Sequence, residues 1–549
     1  MHEAATEEHR IGDARNRSTD WSCRRVFRAS LTILVALLCG SRLASAQLPP
    51  SPVPLSNTED ARTLPKGVVL FRALNAWTRI SDVYDAAADS AHHLHPLGNS
   101  FAFESLGVRQ FPGLAAAQSA LRTLTGDPNI SLDLGQTFAT ADTRIVTTPF
   151  SLSYGVTNRL TIGAMVPVVQ TQTNLFVELN PRRAGTANIT VGPKPSQDIT
   201  SLQVQLSSAA LDLTNFINNC SSTSSCSAQQ QQAIALLQSV RQDSVAVVVL
   251  YGPNSHFAPF GATQTTVSNQ LDALATNVGN VTGGTYSFSK PAGAQAQAAL
   301  LQLQQLVTAN PRPAYDSLGS PSHIGIGDIE ISALFKLVDG FADTSAGVRL
   351  RGTIRGVLRL GTGRPPTGTV PYEVGTGTGQ TSADGGAIFD VRFSRKFMTT
   401  LGAQYTAYFT SAPVSRLPNS DYSLFPMDTP IAGMWREGDA VQAEAMPRFS
   451  LTDYFTIHGA YTFRHQAASK YTSPDIAAPP VFEASTEQRV GFGFGYSTVA
   501  RYARSVSVVP LEVFYTHLET IMASGGLTPK YRRDQIEFRI YYRLRRAGR

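Results

Sequence analysis

Val146-Thr-Thr-Pro-Phe-Ser-Leu-Ser-Tyr-Gly-Val-Thr-Asn-Arg-Leu-Thr-Ile-Gly-Ala-Met-Val-Pro-Val168 carries two runs of alternating residues on either side of Thr157-Asn158-Arg159. Val146, Thr148, Phe150, Leu152 and Tyr154 share one face of the first run; Leu160, Ile162, Ala164, Val166 and Val168 share one face of the second. A period of two is that of a β-strand, whose successive side chains point to opposite faces. Two such runs joined by a turn of a few residues make a hairpin with coincident apolar faces. The same grammar recurs at Thr452-Asp453, between Ala443, Ala445, Pro447, Phe449, Leu451 and Phe455, Ile457, Gly459, Tyr461, Phe463. A third instance joins Phe389, Val391, Phe393 and Phe397, across Met398-Thr399-Thr400, to Leu401, Ala403, Tyr405, Ala407 and Phe409.

Further alternating runs at 67–80, 328–338, 347–360, 488–497, 507–518 and 535–544 bring the strand count to twelve. Short or moderate connections follow the even strands, whereas the long segments 81–141, 171–322, 361–385, 411–440, 467–486 and 519–533 follow the odd ones. Bacterial outer-membrane barrels have this asymmetry, with short periplasmic turns and long external loops. The expected fold is all-β: an up-and-down transmembrane β-barrel of about 12 antiparallel strands over residues 66–546. Residues 171–322 read as a helical insertion in a long external loop, because Leu202, Leu206, Ala209, Leu213, Phe216 and then Ile234, Leu237, Val240 recur at helical spacing. Leu300, Leu303 and Leu306 do so again, and 114–124 is a shorter candidate. Either a cap over the barrel or a plug inside it fits this pattern.

Only 16% of the 549 residues are charged, against about a quarter in soluble domains. The surplus of +6 is spread thinly, without the basic run or face that nucleic acid requires. Arg24, Arg25 and Arg28, the apolar run Leu31 to Leu38 and Ala44-Ser-Ala46 make residues 1–46 an export signal. The polar stretch Met1–Asp20 is long for its leading part, which fits a start codon further downstream. Leu38 before Cys39 argues against lipidation. Residues 47–65 form a Pro-rich leader, expected to be an extended tail. Cleavage at Ala46 leaves Cys220 and Cys226, a pair in an exported chain that reads as a small-loop disulfide. Neither a His nor a third Cys accompanies them, so no metal site is expected.

The face opposite the apolar one carries the chemistry. Arg349, Arg351, Arg355 and Arg359 all lie opposite Val348, Leu350, Ile354 and Leu358. Each guanidinium would cost about 2–4 kcal/mol at the membrane midplane, so this face is the interior. Asp328, Glu330, Lys336, Asp390, Arg392, Glu444, Arg448, Arg464, Glu537 and Arg539 fall on the polar side of their strands as well. Basic groups outnumber acidic ones there, which favours anionic or electron-rich solutes. Pairing of the arginines with Asp328, Glu330, Asp390 and Glu444 across strands is the other arrangement the pattern allows. Tyr154, Phe397, Phe449, Phe455 and Tyr542 near the short turns, with Trp77, Phe409, Phe463 and Tyr515 near the long loops, read as two aromatic girdles. No zinc-protease, nucleophile-elbow or phosphate-loop motif occurs in its proper context. Gly375–Gly379 resembles a phosphate loop in glycine content alone, and no catalytic residue or cofactor is assigned.

Tyr154-Gly-Val-Thr-Asn-Arg-Leu-Thr-Ile-Gly163 with Val166-Pro-Val168, Gly325-Ile-Gly-Asp-Ile-Glu-Ile-Ser-Ala-Leu-Phe-Lys336, Leu360-Gly-Thr-Gly-Arg-Pro-Pro-Thr-Gly368 and Gly525-Gly-Leu-Thr-Pro-Lys530 resemble blocks of the outer-membrane proteins associated with meta-pathway phenol degradation. The resemblance covers about residues 66–83, 142–170 and 322–546 and leaves out the helical insertion. It implies a transmembrane barrel with a transport role for aromatic or other hydrophobic compounds and no catalytic set. This chain departs from the family in its large insertion and in ending Tyr541-Tyr-Arg-Leu-Arg-Arg-Ala-Gly-Arg549 instead of on an aromatic residue.

The expected function is therefore an outer-membrane channel or uptake protein for small solutes, aromatic or anionic, working by passive diffusion through a basic lumen. Its expected partners are outer-membrane lipid and the solute, without nucleic acid; the sequence does not give an oligomeric state. The competing expectation is a surface binding or adhesion protein, anchored by a closed barrel.

Overall fold

The computed structural model describes residues 60–544 except 85–93, 112–113, 181–186, 192–198, 221–223, 253–254, 256, 295–296, 299–300, 302–303, 305–316, 343–346, 368–369, 412–413, 416–430, 433, 473–480, 505–507 and 526–527. The export signal and most of the Pro-rich leader lie outside the described residues, as does most of 294–307.

Twelve long strands form one closed sheet. They are β1 (Val68–Tyr84), β2 (Thr137–Gly155), β3 (Leu160–Leu179), β4 (Ile329–Asp339), β5 (Arg349–Leu360), β6 (Ser382–Arg392), β7 (Phe397–Tyr408), β8 (Ala440–Ser450), β9 (Phe455–Gln466), β10 (Ser485–Ser497), β11 (Leu511–Ser524) and β12 (Thr528–Arg543). Each pairs antiparallel with its chain neighbours, and β1 pairs with both β2 and β12, which closes the barrel. Val68 lies opposite Arg543, so the first and last strands begin and end at the short-turn end.

Three turns at that end share one device. Oγ of Thr157, Ser394 and Thr452 accepts the backbone N–H groups two and three residues later, at 2.9–3.2 Å. A hydroxyl side chain here satisfies donors that no ladder reaches, and so fixes the hairpin register.

The alternation inverts that of a soluble protein. Exposed outward residues include Phe150, Ile162, Ile331, Ile354, Leu401, Phe449, Ile457, Phe492, Phe494 and Ile540, whereas Thr143, Asp390, Glu487, Arg489, Glu512, Glu537 and Arg539 are buried on the inner face. Tyr154, Phe397, Phe449, Phe455 and Tyr542 ring the short-turn end, and Trp77 and Phe409 are exposed toward the long loops. An apolar outer band between aromatic belts is the surface that a membrane-spanning barrel requires.

Three expectations change. The third hairpin turns at 394–396, not at Met398-Thr399-Thr400, which with Phe397 belong to β7 and pair with β6. Residues 519–533 are not a long loop: β11 and β12 run on to Ser524 and from Thr528, because alternation persists through Thr520, Tyr531 and Arg533. Residues 171–179 likewise continue β3 as strand.

The long-loop end carries α1 (Ala115–Thr125), α2 (Thr200–Asn219), α3 (Ser224–Tyr251) and α4 (Ala262–Thr282). Their buried stripes are Leu121 and Leu124 in α1, Leu202, Leu206, Ala209 and Leu213 in α2, Val240, Val247 and Leu250 in α3, and Val267, Leu271 and Val278 in α4. Cys220 and Cys226 form a disulfide across the α2–α3 connection. The helical core continues without a break through Leu106, Leu132 and Leu134 to the inner-wall residues Ile145, Val169 and Val177.

Candidate functional site: a lumen closed at both ends

The bore is closed at the short-turn end by residues 60–65. Read above as the end of a tail, this segment turns into the barrel ahead of β1. Ala61 is fully buried, and its N–H donates to Asp390 Oδ2 at 3.2 Å. Leu64 N–H donates to Thr161 Oγ1 at 2.8 Å. Arg62 bonds Asp60 through Nε at 2.7 Å and both oxygens of Glu512 through its terminal nitrogens at 3.2 Å. Gly155 makes room: a Cβ there would lie 2.2 Å from the Pro65 carbonyl oxygen.

Most inner-wall charges are engaged in pairs. Arg351 bonds Asp390, which is fully buried and also accepts Thr400 Oγ1 at 2.7 Å. Arg351 and Arg392 stack on Phe341, 4.6 and 4.2 Å from the ring centre. Arg359 bonds Glu330 at 2.8 and 2.9 Å and approaches Asp384 at 3.5 Å. Lys336 pairs with Asp339 at 2.9 Å, and Arg448 lies 3.6 Å from Asp60. Arg464 donates to Gln466 at 3.2 Å and Tyr408 Oη at 3.4 Å. Glu537 takes Arg539 at 2.6 Å and Arg72 at 2.7 Å, and Arg539 also faces Glu512 at 3.8 Å. Arg349 opens β5 on the same face. A desolvated charge is tolerated where its partner and hydrogen bonds are in place, as they are for Arg351, Arg359 and Arg539.

At the long-loop end, residues 361–381 fold inward over β3. Inward-facing Thr171 and Thr173 donate to the carbonyls of Val374 and Tyr372 at 2.8 and 3.0 Å. Asp328 accepts N–H of Gly363 (2.9 Å), N–H of Thr378 (2.8 Å) and Thr378 Oγ1 (3.0 Å), so its carboxylate anchors this loop. Glu373 is buried and receives Thr367 N–H at 2.8 Å; His323 Nε2 lies 2.8 Å from its other oxygen without a hydrogen bond. Tyr372 packs against Phe101 with ring centres 5.6 Å apart. The glycines of Val374-Gly-Thr-Gly-Thr-Gly-Gln380 have a steric reason. A Cβ on Gly377 would sit 2.7 Å from Asp328 Oδ1 and 2.8 Å from Gly363 Cα.

Between the two closures the wall of β5–β8 leaves a narrow cleft of about 30 Å³, room for roughly one water. Arg355, Asp384, Thr400, Gln404, Gln442, Glu444 and Met446 line it. Alternation placed the predicted residues on the inner face, and Arg489 and Glu512 with them; Asp60, Arg62, Arg72, Glu487 and Tyr541 complete the network. The signal for the strand members was the same alternation; Asp60 and Arg62 had none. A second hollow, of about 400 Å³, lies in the helical region among Asp212, Asn215, Phe216, Asn219, Thr282 and Tyr286. Among the described residues no group of three or more His, Cys, Asp or Glu is placed to hold a metal ion.

No family model and no curated protein sequence matches the chain. Among solved structures, it is similar to an outer membrane channel from Pseudomonas putida F1, at 8% identity over 89% of this chain and 100% of that one, with a TM-score of 0.40. It is also similar to the Pseudomonas putida toluene transporter TodX, at 10% identity over 91% and 96% of the two chains, with a TM-score of 0.23. A third similarity is to the β domain of the Bordetella autotransporter BrkA, at 8% identity over 87% and 100%, with a TM-score of 0.28.

Proposed function

We propose that the protein is a gated outer-membrane uptake barrel for small solutes, with aromatic acids the best-fitting class. The observation that carries this reading is that chain segments pack against the inner wall at both ends of the barrel: 60–65 at one end, residues from 94–135 and 361–381 at the other. Segments can leave without opening the sheet. Once they leave, Arg355, beside Gln404 and Gln442, offers donors to a carboxylate, while Ile388 and Met446 meet an apolar ring. The resemblance of the Tyr154, Gly325 and Leu360 blocks to the phenol-degradation family supports aromatic compounds.

Planar-bilayer recording of the full chain and of a variant lacking 47–65 tests it. The deletion should raise conductance and favour anions over cations, and Arg355→Gln on that background should reduce the preference. Equal conductance with and without the segment would remove the gate.

The helical hollow favours a second reading, in which the barrel anchors a surface binding protein. Deletion of 187–318 separates the two: lost surface binding with unchanged solute flux supports the anchor.

A further inference from the structure

The outward faces of β4 to β10 carry no Asp, Glu, Lys or Arg. The opposite wall does. Arg532 of β12, Arg79 of β1 and Arg144 of β2 lie directly across from one another on three neighbouring strands. Their side chains are 58%, 60% and 61% exposed.

The height of this row identifies its surroundings. Tyr542, Val69 and Tyr154 form another cross-strand row, in the short-turn girdle, ten residues from the arginines on each strand. Ten residues at ~3.3 Å each make ~33 Å along the strand, or ~25 Å along the axis for a tilt of ~40°. The apolar band of such barrels is ~25 Å tall, so the arginines stand at headgroup depth on the long-loop side. Trp77, two residues below Arg79, sits at the boundary beneath them, across from Asp534, whose carboxylate accepts Tyr515 Oη at 2.7 Å.

Like charges on adjacent strands repel. Asp142 relieves part of this, with Arg79 Nε at 2.6 Å and Arg144 Nε at 3.2 Å. Glu519 takes Arg532 Nε at 3.1 Å and Lys530 Nζ at 3.2 Å. Four cations thus share two carboxylates. The carboxylates hold each guanidinium through Nε, and the Nη edge is the part a phosphate would meet in bidentate fashion.

We propose that the row Arg532, Arg79, Arg144, supported by Lys530, binds the phosphate groups of an anionic glycolipid headgroup in the outer leaflet. The proposal rests on the outer-membrane reading of the barrel but not on transport. It gives the β12–β1–β2 wall a lipid partner that the apolar β4–β10 wall lacks.

The test uses the full chain purified in detergent, with compact folding checked by heat-modifiable gel mobility. Lipid A, dephosphorylated lipid A, phosphatidylglycerol and inorganic phosphate are added separately, and retained lipid or phosphate is measured after gel filtration. Lipid A should be retained stoichiometrically and the dephosphorylated form should not. The triple variant Arg79→Gln, Arg144→Gln, Arg532→Gln should weaken retention by roughly 100-fold, since each basic residue near an anionic surface contributes about fivefold. Asp142→Asn with Glu519→Gln should strengthen it. Equal retention by the triple variant, or of dephosphorylated lipid A, overturns the proposal; retention of inorganic phosphate alone, or of phosphatidylglycerol, as strong as that of lipid A overturns the glycolipid headgroup as source. A chain whose mobility does not change on heating fails the barrel reading instead, which keeps the two failures apart.

Discussion

The two closures of the bore are built from opposite chemistry. Residues 60–65 are held by ion pairs and hydrogen bonds, through Arg62, Asp60, Glu512, Arg448 and Asp390. The long-loop end is held by an apolar core, through Leu106, Leu132, Leu134, Val169, Tyr372 and Val374, with Asp328 clasping the loop. Water and solute charge can replace the first kind of contact as it breaks, but nothing in water replaces the second. The short-turn closure should therefore yield first, and the long-loop closure should open more rarely and at a larger cost.

The largest effect that would break this contrast is a cavity in the apolar closure. Leu106 is fully buried, and Leu106→Ala should cost about 3–5 kcal/mol. Proteolysis of 94–135 should rise while the heat-modifiable mobility of the barrel stays unchanged. If the barrel loosens as well, the closures are not independent.

Arg62→Ala comes next, at about 2–3 kcal/mol, because Glu512 loses one of its cations yet keeps Arg539 and Tyr541. Hydrogen exchange at 60–65 should quicken and bilayer conductance should rise. Asp328→Asn follows at about 2 kcal/mol: one amide NH₂ must then face an N–H donor of Gly363 or Thr378. Faster exchange confined to 361–381 is the expected signature, and an increase at 60–65 instead would mean that the two ends communicate.

The same contrast marks what was legible in the sequence. Period-two alternation gave twelve strands and the sense of their faces, because every lipid-facing residue is constrained individually. It gave Arg359 its face and Glu330 among the carboxylates open to the arginines, but not which meets which, since pairing depends on register between strands, which no single strand encodes. Asp60 and Arg62 lie in a Pro-rich stretch without period; their partner Glu512 is hundreds of residues away, and no local pattern announces such a contact. The glycines after Val374, which match a phosphate loop in glycine content alone, serve close approach around Asp328, a purpose that no local pattern states. Helix α4 was missed although Val267, Leu271, Leu274 and Val278 keep helical spacing, because its Thr and Asn residues mask the stripe. The arginines at 79, 144 and 532 emerged only when register set them side by side.

The smallest effect tests whether the helical region belongs to the apolar, rarely opening side of the contrast. Burial raises the Asp243 carboxyl of α3 from its ordinary value of 3.8 to about 7. The folded state therefore favours the protonated form. Between pH 4 and 7 the unfolded chain releases this proton while the folded one keeps it, so stability falls as pH rises through that window. Asp243 is only partly buried, and solvent screening reduces the effect to about 1 kcal/mol. Protection against hydrogen exchange in α2 and α3, taken after correction for the intrinsic pH dependence of amide exchange, should be greater at pH 4 than at pH 7, and Asp243→Asn should abolish most of that difference. Because no titrating partner among the described residues ties Asp243 to residues 60–65, protection there should not follow the same curve. If both segments shift together with pH, the apolar end is not the rarely opening element of the barrel, and opening has to be sought at the helices instead.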